Sequence, residues 1–243
     1  MSYEHILYDI EDGVAIITLN RPEQRNVQST ILLEEVDHAI DCAAGDHNVN
    51  VICLFGAGKH FSFGASVEEH LPEQVGTMLA RFRELAFAML DCHVTILAAV
   101  RGQCLGGGLE VVTLCHQVMA HADAMFGQPE IVLGVFAPMA SIILADRVGQ
   151  THAEELCLTG RTVDAGVAHG MGIVNVIDEH PVDAAVPRRR LGQRAFHGGG
   201  DPRQVGGDPA LEIRPRDGRV DGEIGVLEAQ RNTLGARQFG LHA

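Results

Sequence analysis

No run of the roughly 20 apolar residues needed to cross a bilayer occurs in the 243-residue chain. No membrane partner is expected. A basic and then apolar leader is also missing, since the chain begins Met1-Ser2-Tyr3-Glu4-His5, which sets a cytoplasmic expectation. The six cysteines (42, 53, 92, 104, 115, 157) form no C-x-x-C pair. Most lie in apolar runs such as Val51-Ile52-Cys53-Leu54-Phe55, so reduced, buried thiols acting as small hydrophobes are expected. Thirteen histidines contain no H-E-x-x-H, and Cys115, His116 and His121 lack the spacing of a zinc site. No metal is expected. Basic residues are outnumbered, 18 Lys+Arg to 32 Asp+Glu, and the net charge of −14 argues against nucleic acid as a partner. Phosphate-binding loops fail as well. Gly106-Gly107-Gly108 lacks the G-x-G-x-x-G spacing, and Gly58-Lys59 is preceded by Cys53 and followed by His60 where a P-loop needs Gly and Ser or Thr.

What remains has the composition of a globular enzyme, 46% apolar and 21% charged, in a length that supports one substantial core or one core with an appendage. Val14 to Leu19 is a β-branched run after Asp12-Gly13 and predicts a strand. Ser29 predicts the cap of a helix with apolar residues at 32, 33, 36, 39 and 40. Strands are predicted over 49–55, 95–100, 117–120 and 173–177. Helices are predicted over 72–90, 107–115, 140–148 and 151–158, with a glycine-rich turn at 102–108. Strands alternating with helices imply an α/β domain with largely parallel strands and its site in the loops at one end of the sheet.

Three segments carry chemistry: 60–66 (His-Phe-Ser-Phe-Gly-Ala-Ser), 101–110 (Arg-Gly-Gln-Cys-Leu-Gly-Gly-Gly-Leu-Glu) and 126–134 (Phe-Gly-Gln-Pro-Glu-Ile-Val-Leu-Gly). Glycines opening a helix leave N–H groups exposed at the positive end of its dipole, where an oxyanion can sit; a tight turn for packing is the plainer use. Glu110 falls in the first turn of that helix, ahead of the apolar stretch 111–114, and Glu130 lies between Pro129 and Ile131. Two carboxyls in apolar surroundings suit acid–base work, whereas either one alone can equally be a solvent-facing or capping group.

Gly-Gly-Gly-Leu-Glu after Ala-Ala-Val-Arg-Gly, followed by Phe-Gly-Gln-Pro-Glu, resembles the enoyl-CoA hydratase/isomerase (crotonase) superfamily. Ile-Ile-Thr-Leu-Asn-Arg-Pro and Leu-Thr-Gly-Arg-Thr-Val-Asp-Ala extend the likeness over residues 3–180. The resemblance implies a crotonase-like spiral of repeated ββα units, assembled as a homotrimer or homohexamer. It implies an oxyanion hole from the N–H groups of Ala65 and Gly107, and catalytic roles for Glu110 and Glu130 in adding water to an acyl-CoA thioester. No separate cofactor is implied, because coenzyme A is part of the substrate.

Within the family, the three segments are similar to hydratases of cyclohexa-1,5-diene-1-carbonyl-CoA, which act in anaerobic aromatic breakdown. Ser66 stands where ordinary hydratases have Asp, and Val135-Phe136-Ala137-Pro138-Met139-Ala140 replaces a Pro-Gly-rich turn. Ser66, Val67, Gly108, Phe136 and Met139 are therefore expected to contact substrate, although core packing accounts equally well for Phe136 and Met139. A generic 2-enoyl-CoA hydratase or isomerase and an inactive CoA-thioester-binding subunit stay open as alternatives.

The catalytic core is expected to end near residue 186. Residues 1–186 hold 8 Lys+Arg against 25 Asp+Glu, whereas 187–243 hold 10 against 7, with 11 Gly and 4 Pro. This tail has the pattern of disordered chain rather than of the amphipathic helices the family places there. A shifted reading frame of a GC-rich gene and a natural basic tail for an acidic partner both produce such a composition.

Overall fold

Val14, Ile16, Ile17 and Thr18 favour extended chain because their branched Cβ packs well on a pleated surface. In the computed structural model, which describes residues 2–185, this run is strand β2 (Val14–Leu19). It pairs with an antiparallel edge strand, β1 (Ile6–Glu11), and on its other side with parallel β3 (Val51–Gly56). Parallel pairing continues through β4 (Thr95–Val100), β6 (Gln117–Ala120) and β9 (Val176–Ile177), giving the order β1-β2-β3-β4-β6-β9. A second sheet holds β5 (Gln103–Leu105), β7 (Met125–Gly127) and β8 (Thr162–Asp164) in that order. The chain thus leaves β4 for β5, and β6 for β7, placing consecutive strands in different sheets before a helix returns it. This is the expected ββα repetition.

The helices are α1 (Thr30–Gly45), α2 (Val75–Asp91), α3 (Gly107–Leu114), α4 (Ala140–Val148), α5 (Gln150–Thr159) and α6 (Ala165–Met171). Ser29 caps α1 as predicted, accepting the Leu32 N–H at 3.3 Å. Residues 32, 33, 36, 39 and 40 form its buried face.

Three expectations need correction. Helix α2 starts at Val75 rather than Pro72, because a 3₁₀ turn at Glu68–His70 precedes it and Leu71 O takes the N–H groups of Gln74 and Val75. The glycine-rich turn at 102–108 contains strand β5, paired in parallel with β7. Cys42 is exposed, while Cys53, Cys104 and Cys115 are buried as expected, with burial pushing the Cys53 and Cys115 thiols up to about 12. The 187–243 tail lies outside the described residues.

The main core fills the space between the large sheet and the helices, with Ile17, Leu32, Leu33, Ile40, Ile52, Leu54, Leu85 and Met89 almost wholly buried. Among the described residues no helix is long and apolar enough to cross a membrane.

Candidate active site

Three stretches of chain meet at the start of α3. Ser62 forms a parallel bridge with Cys104 and Ala65 one with Gln28. Ser62 Oγ donates to Asn26 O at 2.8 Å and accepts the Gly64 N–H at 3.0 Å, tying the 26–28 and 62–66 segments together. Gly64 makes the approach possible: a Cβ there would lie 2.8 Å from Leu105 O and 3.0 Å from Gly107 N.

The bridge between Ala65 and Gln28 uses Gly64 O, bonded to Gln28 N at 2.8 Å, and Ser66 N, bonded to Gln28 O at 3.0 Å. Ala65's own N–H therefore points to the opposite side. Gly107 is the first residue of α3, where an N–H has no partner within the helix. Among the described residues neither of these two N–H groups has a hydrogen-bond acceptor. Both border one small volume, since a Cβ on Gly107 would lie 3.2 Å from Ala65 N. Such a pair of free donors beside a helix N-terminus suits a developing oxyanion.

Glu110, in the first turn of α3, is 6% exposed. Its Oε1 accepts the Ala140 N–H at 2.7 Å, the first amide of α4. Burial raises its pKa to about 7, opposed by the N–H groups of Ala140 and Met139 and reinforced by the charge of Glu130. Glu130 sits on a 3₁₀ turn, Pro129–Leu133, that follows β7. Gly106 N donates to Gly127 O at 2.9 Å, and this contact brings the turn beside the glycines. A Cβ on Gly106 would lie 2.8 Å from Glu130 Oε1. Burial raises the pKa of Glu130 as well, with His70 opposing the shift. Its Oε1 faces Gln128 Nε2 at 3.3 Å, while its Oε2 is buried without a partner.

The sequence pattern of the enoyl-CoA hydratase/isomerase family matches residues 9–190. The chain belongs to the enoyl-CoA hydratase/isomerase family. It is 45% identical over 174 residues to a cyclohexa-1,5-dienecarbonyl-CoA hydratase of Thauera aromatica, covering 70% of this chain and 66% of that protein. The chain thus spans slightly less than two thirds of that relative's length. A probable enoyl-CoA hydratase of Rhizobium meliloti is 38% identical over 177 residues, which cover 72% of this chain and 69% of the relative. Among solved structures, an enoyl-CoA hydratase/isomerase from Xanthobacter autotrophicus Py2 superposes with a TM-score of 0.72 at 34% identity, covering 79% of this chain and 74% of the other. The crotonase-like spiral expected from the sequence is thereby established.

The other candidate positions of this hydratase/isomerase family member are scattered in exposure. Ser66 is buried beside Ala65, and Val67 is 71% exposed. Gly108 is buried against Ser62, which a Cβ would meet at 3.0 Å. Phe136 is 70% exposed and lines a cavity of about 450 Å³ with Ile131, Val135, Ala153, Cys157 and Leu158. Met139 does not line that cavity; it precedes α4 and packs against the main core.

Three polar residues around these segments escape a reading of the sequence. Gln28 and Gln128 are wholly buried, and His70 Nδ1 donates to Ser66 O at 2.6 Å. Gln128 lies inside the Phe-Gly-Gln-Pro-Glu segment, which is a usable signal; nothing in the sequence marks Gln28. Among the described residues no group of three His, Cys, Asp or Glu is placed to hold a metal ion.

Proposed function

We propose that this protein adds water to the double bond of an unsaturated acyl-CoA thioester, and that its substrate is a cyclic dienoyl-CoA of the cyclohexa-1,5-diene-1-carbonyl type. The observation that carries the reading is a buried carboxyl, Glu110, and a partly buried one, Glu130, beside the unpaired N–H groups of Ala65 and Gly107. In this mechanism the thioester oxygen lies between the two N–H groups, which stabilise it as it gains enolate charge. One ionised glutamate removes a proton from water as its oxygen bonds to a conjugated ring carbon. The other, protonated, returns a proton to carbon, so that one water is added in total. Raised pKa values in the pair suit this division, because they hold a proton to higher pH than an ordinary glutamate does.

The ring-shaped substrate is supported by the 45% identity to the Thauera hydratase, by Ser66 beside the Ala65 N–H, and by Phe136 on the apolar cavity. Assembly as a homotrimer or homohexamer belongs to the same reading and is measured by light scattering of the full chain. The deciding experiment compares hydration of cyclohexa-1,5-diene-1-carbonyl-CoA with that of crotonyl-CoA. A higher kcat/KM for the diene is expected. Preference for crotonyl-CoA replaces the substrate with an ordinary enoyl-CoA, and tight binding without turnover of either removes the catalytic reading.

A further inference from the structure

Gln28 is 1% exposed, and its Oε1 is buried with no hydrogen-bond partner. A buried amide oxygen left in this state costs about 1–3 kcal/mol, so an unpaired one calls for a partner from outside the fold. Its place is specific. A Cβ on Gly107 would lie 2.6 Å from Gln28 Oε1, 3.2 Å from Ala65 N and 3.3 Å from a ring carbon of Phe82. The end of the Gln28 side chain therefore stands against the same flank of Gly107 as the Ala65 N–H. The backbone of Gln28 is already committed to Gly64 and Ser66, which holds the residue in register with Ala65. Only its carboxamide is free to serve a ligand.

A carboxamide turned by 180° about its terminal torsion keeps its shape and exchanges an acceptor for a pair of donors. An anion beside it selects the donor orientation, because the opposite one sets Oε1 against negative charge. We infer that Gln28 is a third oxyanion donor: with a thioester oxygen held by Ala65 N–H and Gly107 N–H, the Gln28 amide turns its Nε2–H onto that oxygen. This rests on the thioester reading above. The contribution grows as the carbonyl becomes enolate-like, since a hydrogen bond to an ionised acceptor is about twice as strong as one to a neutral acceptor. It therefore favours the transition state over bound substrate.

The test uses the 243-residue chain and benzoyl-CoA labelled with ¹³C at the thioester carbonyl. Its aromatic ring is not hydrated, so the probe reports the carbonyl environment without turnover. Isotope-edited infrared spectra are compared for the unmodified protein and Gln28→Met, which retains length and loses both polar ends. A bound carbonyl band at lower frequency in the unmodified protein than in Gln28→Met is expected. With a substrate that undergoes hydration, kcat should fall about 10²- to 10³-fold in the variant while KM changes little. Identical bands in the two proteins overturn the role of Gln28 and leave thioester binding standing. No bound, shifted band in the unmodified protein overturns the thioester reading and this inference together. If Gln28→Met does not fold, Gln28→Asn, which withdraws the amide by one methylene, is read by the same two outcomes.

Discussion

Gly106 lies directly beneath the carboxylate of Glu130: a Cβ at Gly106 would come within 2.8 Å of Glu130 Oε1. Gly106 also adopts φ 54° and ψ −127°, a conformation that side chains resist. Gly106→Ala should therefore displace Glu130 and strain the entry to α3, costing about 1–3 kcal/mol. The urea midpoint should drop, and hydration activity should fall further than the loss of stability explains. A variant with normal activity would show that Glu130 does not depend on this contact.

Glu130→Gln retains the shape of the side chain and removes its proton chemistry. Turnover should fall about 10²- to 10⁴-fold, with CoA-ester affinity changed little. Calorimetric titration with an acyl-CoA alongside steady-state rates separates the two effects. Unchanged turnover would remove Glu130 from the mechanism.

Glu110 has its pKa raised by burial from 4.5 to about 7, so the folded state holds its proton more tightly than the unfolded chain. Its contribution to stability is complete below pH 4.5, declines as pH rises towards 7, and is constant above that. Relative to unmodified protein, Glu110→Gln should gain stability over this window, by about 3 kcal/mol at most. Denaturant titrations of both proteins at pH 4.5, 6 and 8 measure the difference. A gap independent of pH would contradict the raised value. The same substitution should remove any limb near pH 7 from the profile of kcat/KM.

Asn26 is buried with φ 52° and supports the loop that carries Ala65. Its Oδ1 accepts the Arg21 N–H at 2.9 Å, and its Nδ2 donates to Ala57 O at 3.0 Å and His60 O at 2.9 Å. Asn26→Ala leaves these groups unpaired and places alanine in a left-handed conformation. A loss of about 2–4 kcal/mol is expected, measured from denaturant midpoints at unchanged slope.

Elements with a strong local signal were legible in the sequence. Strands β2 and β4 are dense in β-branched or small apolar residues, and α1 combines a serine cap with one apolar face. Strand β1 is not, because it is an edge strand with Asp9 and Glu11 exposed and only Ile6 buried. The short strands β5, β7 and β8 carry three residues each, too few for any periodicity, and exist because they pair with one another.

By itself the sequence determined the family, the spiral of ββα units and the candidate status of Glu110, Glu130, Ala65 and Gly107, since these depend on residue types in a colinear order. Only the tertiary structure decided what surrounds them. Burial raises the pKa of Glu110 against the opposing amides at the start of α4, and pairing of Gly106 with β7 brings in Glu130 from twenty residues beyond Glu110. Contact between segments 26–28 and 62–66 sets Gln28 beside Gly107 and the Ala65 N–H. Desolvation and close approach are properties of chain segments distant in sequence, so no local pattern encodes them. Each glycine of the triplet is where it is because a different neighbour occupies the space its side chain would need.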